Sequence, residues 1–336
     1  MSIVTRALPC VKVTALFARF GVVMTESVMP HSENFYAAAQ ILASRRQQGL
    51  VAELLPEQLR PTSFAEAFAL QQQVAALMPS ATAGWKSLLP TVDQQGEQWV
   101  VAPIYAADLT RACAETASAV AVSPAIAAQT VPQCALWPSV LSASKGLARV
   151  EPELAFVLGQ DLAPRHDNQP YTTQEIDSAI SHCHLALELI QSRYLPDSGA
   201  GYLDQLADGL FNQGLYLGPT PAAGALVTDR DAAQDTAATG TTAKDLTAAE
   251  HSSFFLQIRL ADGTVIEKNA VHPNQNPKAG LYWLVNFLTT QGIGLKAGQA
   301  VITGSYAGVI DLPFGEDISF QYGKLGQFQL KFVEKQ

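Results

Sequence analysis

Residues 150–158 read VEPELAFVL, and this stretch decides how the fold is interpreted. A short run of Val, Leu and Phe is typical of a β-strand, whose side chains alternate between two faces. Glu151 and Glu153 therefore share one face, with Cα atoms roughly 6.5–7 Å apart. Burying an unpaired carboxylate costs several kcal/mol, so the pair needs solvent or a partner. Pro152 has no N–H for a sheet ladder and predicts a strand end at a rim or edge.

A second short strand also carries a glutamate. Residues 186–190, ALELI, alternate in the same way, so Glu188 shares a face with the apolar residues two positions away. The glutamates could be solvated, or they could pair with Arg149 and Arg193. Alternatively, three carboxylates face one cavity and a hard divalent cation compensates their repulsion, in which case oxygen-only ligation suits Mg²⁺ or Mn²⁺. The residues alone leave these alternatives open.

The rest of the chain divides by pattern. Residues 32–48 and 63–78 have helical periodicity, and after residue 84 the chain changes to short β-branched or aromatic runs broken by Gly, Pro and Asp. We expect a loose N-terminal extension over residues 1–30, a helical N-terminal lobe over 31–83 and a β-rich catalytic domain over 84–336. Residues 221–250, rich in Ala and Thr, predict a mobile insertion within that domain.

Local signals place further elements. Thr172 and Glu175 form a capping-box pattern that predicts a helix continuing to about His184. Asn276 is the expected N-cap of another helix, with Pro following it at the first position. Further strands are predicted as a hairpin over residues 254–260 and 264–268, and near the C-terminus over 317–322 and 327–332.

Composition excludes several classes of partner. Of 336 residues, 48% are hydrophobic and 15% charged, and the net charge is −9, so no basic surface is expected for nucleic acid. The four cysteines are scattered without a C-x-x-C pair, which predicts reduced thiols rather than a zinc ribbon or a disulfide framework. No apolar run approaches the roughly 20 residues of a membrane-spanning helix. We expect a soluble cytoplasmic protein that binds neither nucleic acid nor membrane.

Five motifs stand in the order found in one family: GWKS (84–87), PIYAADL (103–109), VEPELAFVLGQDL (150–162), YTTQEIDSAISHCHLALELIQSRY (171–194) and NPKAGLYWLVNFLTTQGIGLKAGQAVITGS (276–305). Over roughly residues 35–332 the chain resembles the 2-keto-4-pentenoate hydratase family of the fumarylacetoacetate hydrolase superfamily. The resemblance implies an α+β fold, in which a fumarylacetoacetate hydrolase C-terminal-like mixed β-sheet/β-roll core carries a small helical N-terminal lobe.

The resemblance also implies roles for particular residues. Glu151, Glu153 and Glu188 match the family's ligands for a divalent metal, here Mg²⁺ or Mn²⁺. Lys86 and Asp108 match its catalytic positions, where they would move protons. For Asp108 a simple turn or cap is the alternative, because Asp at a loop edge often has that role.

Two further residues are candidates for substrate binding. Arg193 could bind a substrate carboxylate through its planar fork, or it could anchor the E-x-E pair. Ser305 could offer a hydroxyl or backbone N–H to the ligand, or belong to a plain turn. The chain has Gln191 where relatives commonly have Asp, and Gly209 where they commonly have Asn, and both departures bear on substrate choice.

The expected reaction is that of a hydro-lyase: water adds to a 2-hydroxy-2,4-dienoate (2-keto-4-pentenoate type) to give a 4-hydroxy-2-oxo acid in aromatic-compound catabolism. The alternatives are a 4-oxalocrotonate-type decarboxylase and a non-catalytic partner subunit of such an enzyme. The superfamily's carbon–carbon hydrolases use a His–Glu pair. No His stands between Lys86 and Glu151 here, which disfavours carbon–carbon hydrolysis. The resemblance further implies a homo-oligomer, with a pathway decarboxylase as another partner.

Overall fold

The computed structural model describes residues 32–93, 96–112, 131–141, 145–165, 167, 169–221 and 252–336. The predicted extension (1–30) and all but the first residue of the predicted insertion (221–250) lie outside these ranges. The helices are α1 Ser32–Gln48, α2 Phe64–Leu77, α3 Thr173–Ala179, α4 Tyr202–Asp208 and α5 Ala279–Thr290, with short 3₁₀ turns at Glu57–Leu59 and Ala106–Asp108. The strands are β1 Thr82–Asp93, β2 Gly96–Tyr105, β3 Leu109–Arg111, β4 Gln133–Leu136, β5 Ala148–Leu158, β6 Ile180–Ile190, β7 Asn212–Leu217, β8 Ser253–Arg259, β9 Val265–Val271, β10 Ala300–Ile302, β11 Ile310–Leu312, β12 Asp317–Tyr322 and β13 Gly326–Glu334.

The strands form two mixed sheets. The larger has the order β2-β1-β10-β5-β6-β7-β3, and β11 also pairs with β5. In this sheet β1 runs parallel to β10 and β3 parallel to β7, while the other pairs are antiparallel. The smaller sheet has the order β4-β13-β12-β8-β9. The predicted α+β class with a mixed-sheet core is confirmed.

The larger sheet is rolled, and the packing of its inner face shows this. On one face of β5, Leu154 and Phe156 join the main hydrophobic core. On the other face Ala155 belongs to a small second cluster with Ile104 of β2 and Leu215 of β7. Four strands separate β2 from β7, so a flat sheet would hold them about 24 Å apart. Because they share one cluster, the sheet must curl, as the predicted β-roll requires.

The two N-terminal helices follow the predicted ranges closely and pack on the sheet domain. Ser63 caps α2 by accepting the backbone N–H of Glu66. Gln71, buried on the same helix, donates to the carbonyls of Val101 in β2 (2.9 Å) and Leu206 in α4 (2.7 Å). A buried amide with two backbone partners fixes the position of α2 more tightly than apolar contact alone, because leaving it unpaired is costly.

The helix predicted from the Thr172–Glu175 capping box forms, but it is shorter than expected. Both reciprocal capping contacts are present, and α3 ends at Ala179 instead of near His184. From Ile180 onward the chain pairs with β5 along its whole length. The apolar residues in this segment fit a helical stripe and strand alternation alike, and the buried neighbouring strand favours the extended form.

The prediction that Pro152 marks a rim or edge is wrong, because β5 lies in the middle of the larger sheet. On one side of β5, β11 pairs with residues 148–150 and β10 with residues 155–157, leaving a gap between them. Pro152 falls in that gap, where its carbonyl accepts the backbone N–H of Tyr306 at 3.0 Å. N and C=O of one residue point to the same side of a strand, so the missing N–H also faces the gap.

The C-terminal predictions are confirmed with small shifts. The predicted hairpin forms as β8 and β9, and the last two strands form as β12 and β13. Helix α5 begins two residues later than expected, with Lys278 at the N-cap position. Asn276 instead closes the preceding turn by accepting the backbone N–H of Lys278 at 3.0 Å.

The structure also bears on the expectations for the cysteines and for membrane-spanning helices. Cys134 and Cys183 are buried free thiols. Within the described ranges, no helix is both long and apolar enough to cross a membrane.

Candidate metal centre

Three glutamates converge on the inner face of the rolled sheet. Glu151 and Glu153 lie two apart on β5, and Glu151 stands directly opposite Glu188 in the register of β5 and β6. One carboxylate oxygen from each residue lies within 4.8 Å of those of the other two. Glu153 and Glu188 are fully buried, with 1% and 0% of their surface exposed, and Glu151 is half-buried. The two glutamate-bearing strands of the sequence therefore build one cluster.

Lys86 reaches the same cluster from a more distant strand. It lies on β1, in register with Ile302 of β10, which faces Ala155 of β5. Its Nζ is 3.0 Å from Glu188 Oε1 and donates to the carbonyl oxygen of Leu210 at 3.2 Å. The curl of the sheet brings this ammonium group onto the carboxylates.

Two residues that sequence reasoning missed support the cluster. The backbone N–H of Gly304 donates to Glu153 Oε2 at 2.8 Å, and the side-chain amide of Asn212 donates to Glu188 Oε1 at 2.9 Å. Gly304 directly precedes Ser305, the residue of this turn for which the sequence predicts a contact with the ligand. Asn212 follows Gly209 by three residues, and no local pattern distinguishes it from a loop asparagine.

The turn that carries Asn212 is locally strained. Gly209, Leu210 and Phe211 all have positive φ, at 94°, 51° and 67°. Such angles are costly for residues with a β-carbon, and they persist where surrounding structure holds them. Here the turn presents the Leu210 carbonyl to Lys86 and the Asn212 amide to the glutamates.

The electrostatics of the cluster reflect crowded buried charge. Burial raises the pKa of Glu151 to about 7, and the neighbouring charge of Glu188 adds to this shift. Burial and the same neighbour raise the pKa of Glu153 well above its usual range. For Lys86 burial alone would lower the pKa, but the attraction of Glu188 and Glu151 outweighs burial and the pKa is raised. Without a cation, the cluster therefore favours proton uptake by Glu151 and Glu153, while Lys86 keeps its positive charge.

The donor set fits a hard divalent cation. Among the described residues, Glu188 Oε2 is buried without a hydrogen-bond partner. A buried carboxylate oxygen is expensive to leave unpaired, and here the candidate ligand atoms within 4.8 Å of one another are all carboxylate oxygens. Oxygen-only sites of this kind suit Mg²⁺ or Mn²⁺ better than the thiolate and imidazole sites that zinc prefers. Glu151, Glu153 and Glu188 could therefore hold such an ion.

Asp108 lies outside this cluster. Its carboxylate forms an ion pair with Lys335 near the C-terminus. Asp108 ends the 3₁₀ turn before β3, and two strand spacings separate β3 from β6. The structure therefore gives Asp108 a structural partner, and its catalytic role stays a prediction.

Arg193 does not make the contacts expected for it, which corrects the sequence interpretation. Its guanidinium is buried, with Nε donating to Asp208 Oδ2 at 2.8 Å. Its Nη groups donate to the carbonyls of Asp208, Gln191 and Asn212. Four of the five N–H donors are thus committed to the protein, and none contacts the E-x-E pair. Arg193 holds the turn between α4 and β7 and is not available to clamp a carboxylate in the expected way.

Ser305 likewise has structural partners. Its hydroxyl donates to the carbonyl of Gly308 at 3.1 Å and accepts the backbone N–H of Ala307 at 3.4 Å. These contacts correspond to the alternative of a plain turn. The neighbouring Gly304 makes the contact with the carboxylate cluster instead.

Comparison with curated proteins supports the family resemblance. The chain is 26% identical over 192 residues to the 2-oxo-hept-4-ene-1,7-dioate hydratase of Escherichia coli, matching 55% of this chain and 61% of the relative. It is also 26% identical over 187 residues to the 2-keto-4-pentenoate hydratase of Burkholderia vietnamiensis (strain G4 / LMG 22486), with the same shares. The match thus spans about three fifths of the length of these curated relatives. No family model matches the chain.

Comparison with solved structures supports the fold. The 4-oxalocrotonate decarboxylase of Pseudomonas putida G7, complexed with magnesium and adipate, superposes with a TM-score of 0.56 at 13% identity, covering 90% of this chain and 98% of that one. The same enzyme complexed with calcium and acetate gives a TM-score of 0.56 at 15% identity, with the same coverage. At these identities the similarity concerns the fold alone, and it confirms the architecture expected from the sequence.

Proposed function

We propose that this chain, a relative of the 2-keto-4-pentenoate hydratases, is a hydro-lyase that depends on Mg²⁺ or Mn²⁺ and adds water to a 2-hydroxy-2,4-dienoate. The product is a 4-hydroxy-2-oxo acid. The names of both curated relatives support this reaction class. The observation that carries the proposal is the convergence of three glutamate carboxylates and the Lys86 ammonium on the inner face of one sheet.

Glu151, Glu153 and Glu188 are the proposed metal ligands. A divalent cation bound there would supply Lewis acidity to the carboxylate and 2-oxygen of the substrate, lowering the cost of negative charge on that oxygen. Gly304 and Asn212 hold two of the three carboxylates in place through N–H donors. Such outer contacts orient the donor atoms of a metal site before the ion arrives.

The reaction needs protons to move between named atoms. The 2-hydroxyl of the substrate loses its proton while carbon 5 gains one, which gives the conjugated 2-oxo-3-enoate. The oxygen of water then bonds to carbon 4, and a proton reaches carbon 3. We assign these transfers to Lys86 Nζ, whose ammonium would give a proton to carbon 5 and, as the amine, take the proton of the 2-hydroxyl; in the second step it would give a proton to carbon 3 and take one from the added water. Two of its three N–H donors are directed at Glu188 and Leu210, which leaves the third for the substrate.

The surroundings of Lys86 favour this chemistry. The inner face beside the cluster carries Ala155, Ala186 and Ile302, which are fully buried. An apolar wall keeps water from screening the charges and strengthens the interaction of Lys86 with charge that develops on the substrate.

The test is a spectrophotometric assay of 2-hydroxypenta-2,4-dienoate with Mg²⁺, with and without chelator. We expect turnover that chelation abolishes and that Glu151→Gln lowers by on the order of 100-fold or more. Glu53→Gln is the matched control, because Glu53 is an exposed carboxylate away from the cluster. Turnover that persists after chelation would contradict the proposal. A metal-loaded protein that does not turn over the dienoate would contradict it as well.

The same samples address the alternatives. Release of CO₂ from 4-oxalocrotonate, without hydration of the dienoate, would identify a decarboxylase. A protein that binds neither Mg²⁺ nor Mn²⁺ would indicate a non-catalytic partner subunit. Asp108 as a second proton-transfer group, homo-oligomerisation and cytoplasmic localisation stay predictions.

A further inference from the structure

A second buried cation lies beside the turn that holds Lys86. Arg46, near the end of α1, is only 6% exposed, and its Nη2 donates to the backbone carbonyl of Asp208 at 3.2 Å. Its Nε and Nη1 are buried without hydrogen-bond partners among the described residues. Two unused donors on a buried guanidinium are costly, because the group has lost water without gaining acceptors.

The neighbouring acidic group, Asp208, is shared between Arg46 and Arg193, and of these two only Arg193 contacts its carboxylate directly. The Asp208 carboxylate is bound by Arg193 through Nε at 2.8 Å. Arg46 itself forms no ion pair of 4.0 Å or less with a carboxylate in the described part of the chain. Its guanidinium carbon lies 5.1 Å from the centre of the Tyr105 ring, a contact that offsets only part of the desolvation cost. The site therefore has surplus positive charge and free donors.

The lack of a side chain at Gly209 leaves room for the guanidinium of Arg46. A β-carbon on Gly209 would lie 2.7 Å from Arg46 Nη2 and 4.0 Å from the β-carbon of Ala102. A guanidinium nitrogen of Arg46 therefore occupies space that a side chain at residue 209 would need.

The location of Arg46 connects it to the carboxylate cluster. Ala102 of β2 stands opposite Lys86 of β1, so the two side chains share the inner face of the sheet. Leu210, the residue after Gly209, offers its carbonyl to Lys86 Nζ. Arg46 therefore lies at the border of the candidate site, on the side that Lys86 occupies.

We propose that Arg46 is a specificity-determining residue that binds the distal carboxylate of a dicarboxylic 2-hydroxydienoate. This inference rests on the proposed function. The carboxylate next to the 2-oxygen would lie at the glutamate cluster, and the far carboxylate would accept a charge-assisted hydrogen bond from one of the two unpartnered Arg46 nitrogens, Nε or Nη1. The guanidinium cannot lose its charge, so it attracts a carboxylate at any pH at which the protein is folded.

The kinetic test compares two substrates, 2-oxohept-4-ene-1,7-dioate and 2-keto-4-pentenoate, which differ in whether a second carboxylate is present. We expect the wild-type protein to prefer the dioate. Arg46→Gln should lower kcat/KM for the dioate at least about tenfold, as expected when a charge-assisted hydrogen bond is lost, and should change that for the monoacid little. Arg46→Lys should fall between, because it keeps the charge but places its donors at a different position. Equal losses on both substrates, or no loss on either, would overturn the inference.

Arg45→Gln is the matched control. Arg45 is the preceding residue on α1, it is half-buried, and its guanidinium carbon lies 5.4 Å from the Tyr194 ring centre. It has no contact with Gly209, and its substitution should leave the ratio of the two kcat/KM values unchanged. A change in this ratio as large as that caused by Arg46→Gln would show that general loss of charge on α1 is responsible, and would overturn the role of Arg46.

An equilibrium measurement separates this inference from the proposed function. Thermal unfolding of the Mg²⁺-loaded protein is followed with pimelate, heptanoate or acetate. If the protein catalyses no hydration, the proposed function fails. A dicarboxylate site at Arg46 would still be supported if pimelate raises the Tm, heptanoate and acetate do not, and Arg46→Gln abolishes the rise. Equal protection by acetate would indicate a site for any small anion, and equal protection by heptanoate a purely apolar one. Either result would overturn the inference.

Discussion

Lys86 Nζ and Glu188 Oε1 lie 3.0 Å apart although β10 and β5 stand between their strands in the sheet. Three strand spacings in a flat sheet would separate β1 from β6 by about 14 Å. The contact exists because the sheet curls, so the ion pair depends on the roll rather than on any neighbouring sequence. The proposed catalytic group, Lys86, therefore also compensates part of the negative charge of the buried glutamates.

Replacing Lys86 by Met should separate catalysis from metal binding. The ammonium is the proposed proton-transfer group, so turnover should fall by roughly 10²- to 10⁴-fold. Affinity for Mn²⁺, measured by calorimetry, should be retained or increased, because a competing positive charge has been removed from the three carboxylates. Lys296→Met, at an exposed lysine paired with Asp161, should change neither quantity. Loss of Mn²⁺ binding together with activity would contradict separate roles.

Replacing Glu153 by Gln should stabilise the chelated protein while weakening its metal site. Glu153 is buried near two other carboxylates, and a neutral amide removes that repulsion while its oxygen still accepts the Gly304 N–H. With EDTA at pH 8 we expect the free energy of unfolding to rise by roughly 1–3 kcal/mol. We expect Mg²⁺ to raise the Tm of the wild-type protein and to leave that of the Glu153→Gln variant unchanged. A less stable variant in EDTA would show that the carboxylate cluster does not strain the metal-free fold.

The sequence predicts the parts of this site that depend on the alternation of side chains between the two faces of a strand. Alternation places Glu151 and Glu153 on one face, and Glu188 on a second strand, and the structure pairs Glu151 directly with Glu188. Family resemblance is needed to add Lys86, because the curl that brings β1 to β6 is a property of the whole sheet. The hydrogen bond from the Gly304 N–H to Glu153 arises from a turn that closes over a distant strand, and residue spacing does not encode such a contact.

Arg193 shows why a charged residue in a motif is hard to interpret from sequence. Its partner, Asp208, lies fifteen positions away on α4, and their pairing depends on how the turn from α4 to β7 folds around the guanidinium. Arg46, 147 positions upstream of Arg193, is left with donors that have no partner in the part of the chain that the structure describes. From the sequence alone the two arginines could not be ranked, because the difference lies in which guanidinium the Asp208 carboxylate contacts.

Gly304→Ala should be more harmful than substitution of another glycine with positive φ in the same turn region. At φ 127°, Gly304 would place a β-carbon 2.8 Å from Leu88 Cδ1 and 2.9 Å from Pro273 Cγ. Strain and overlap together should cost roughly 2–4 kcal/mol in chemical denaturation. Metal affinity should also fall about tenfold or more, because the N–H that holds Glu153 is displaced.

Gly308→Ala is the matched control for Gly304→Ala. Gly308 has φ 68° and nothing within 4 Å of the position of an added β-carbon. It should therefore cost only the backbone strain, about 1 kcal/mol, with metal affinity unchanged. Equal effects of the two substitutions would mean that the contact of Gly304 with Glu153 does not matter.

His272 should make the protein less stable as the pH falls from about 6.5 to about 4. The imidazole is 1% exposed, its Nδ1 accepts the backbone N–H of Asn274 at 3.2 Å, and its ring lies against Tyr306. Burial lowers the pKa of His272 from 6.5 to about 4 in the folded chain. The unfolded chain therefore takes up the proton first, so the stability is fully present above pH 6.5 and is lost through this window. One pKa unit corresponds to 1.36 kcal/mol, so the loss amounts to roughly 3 kcal/mol.

His272→Asn keeps an acceptor for the Asn274 N–H but cannot take up a proton, so urea unfolding of this variant should show a shallower pH dependence between pH 4 and 6.5. His182→Asn, at an exposed histidine, should follow the wild-type curve. If His272→Asn follows the wild-type curve as well, the acid sensitivity comes from other groups.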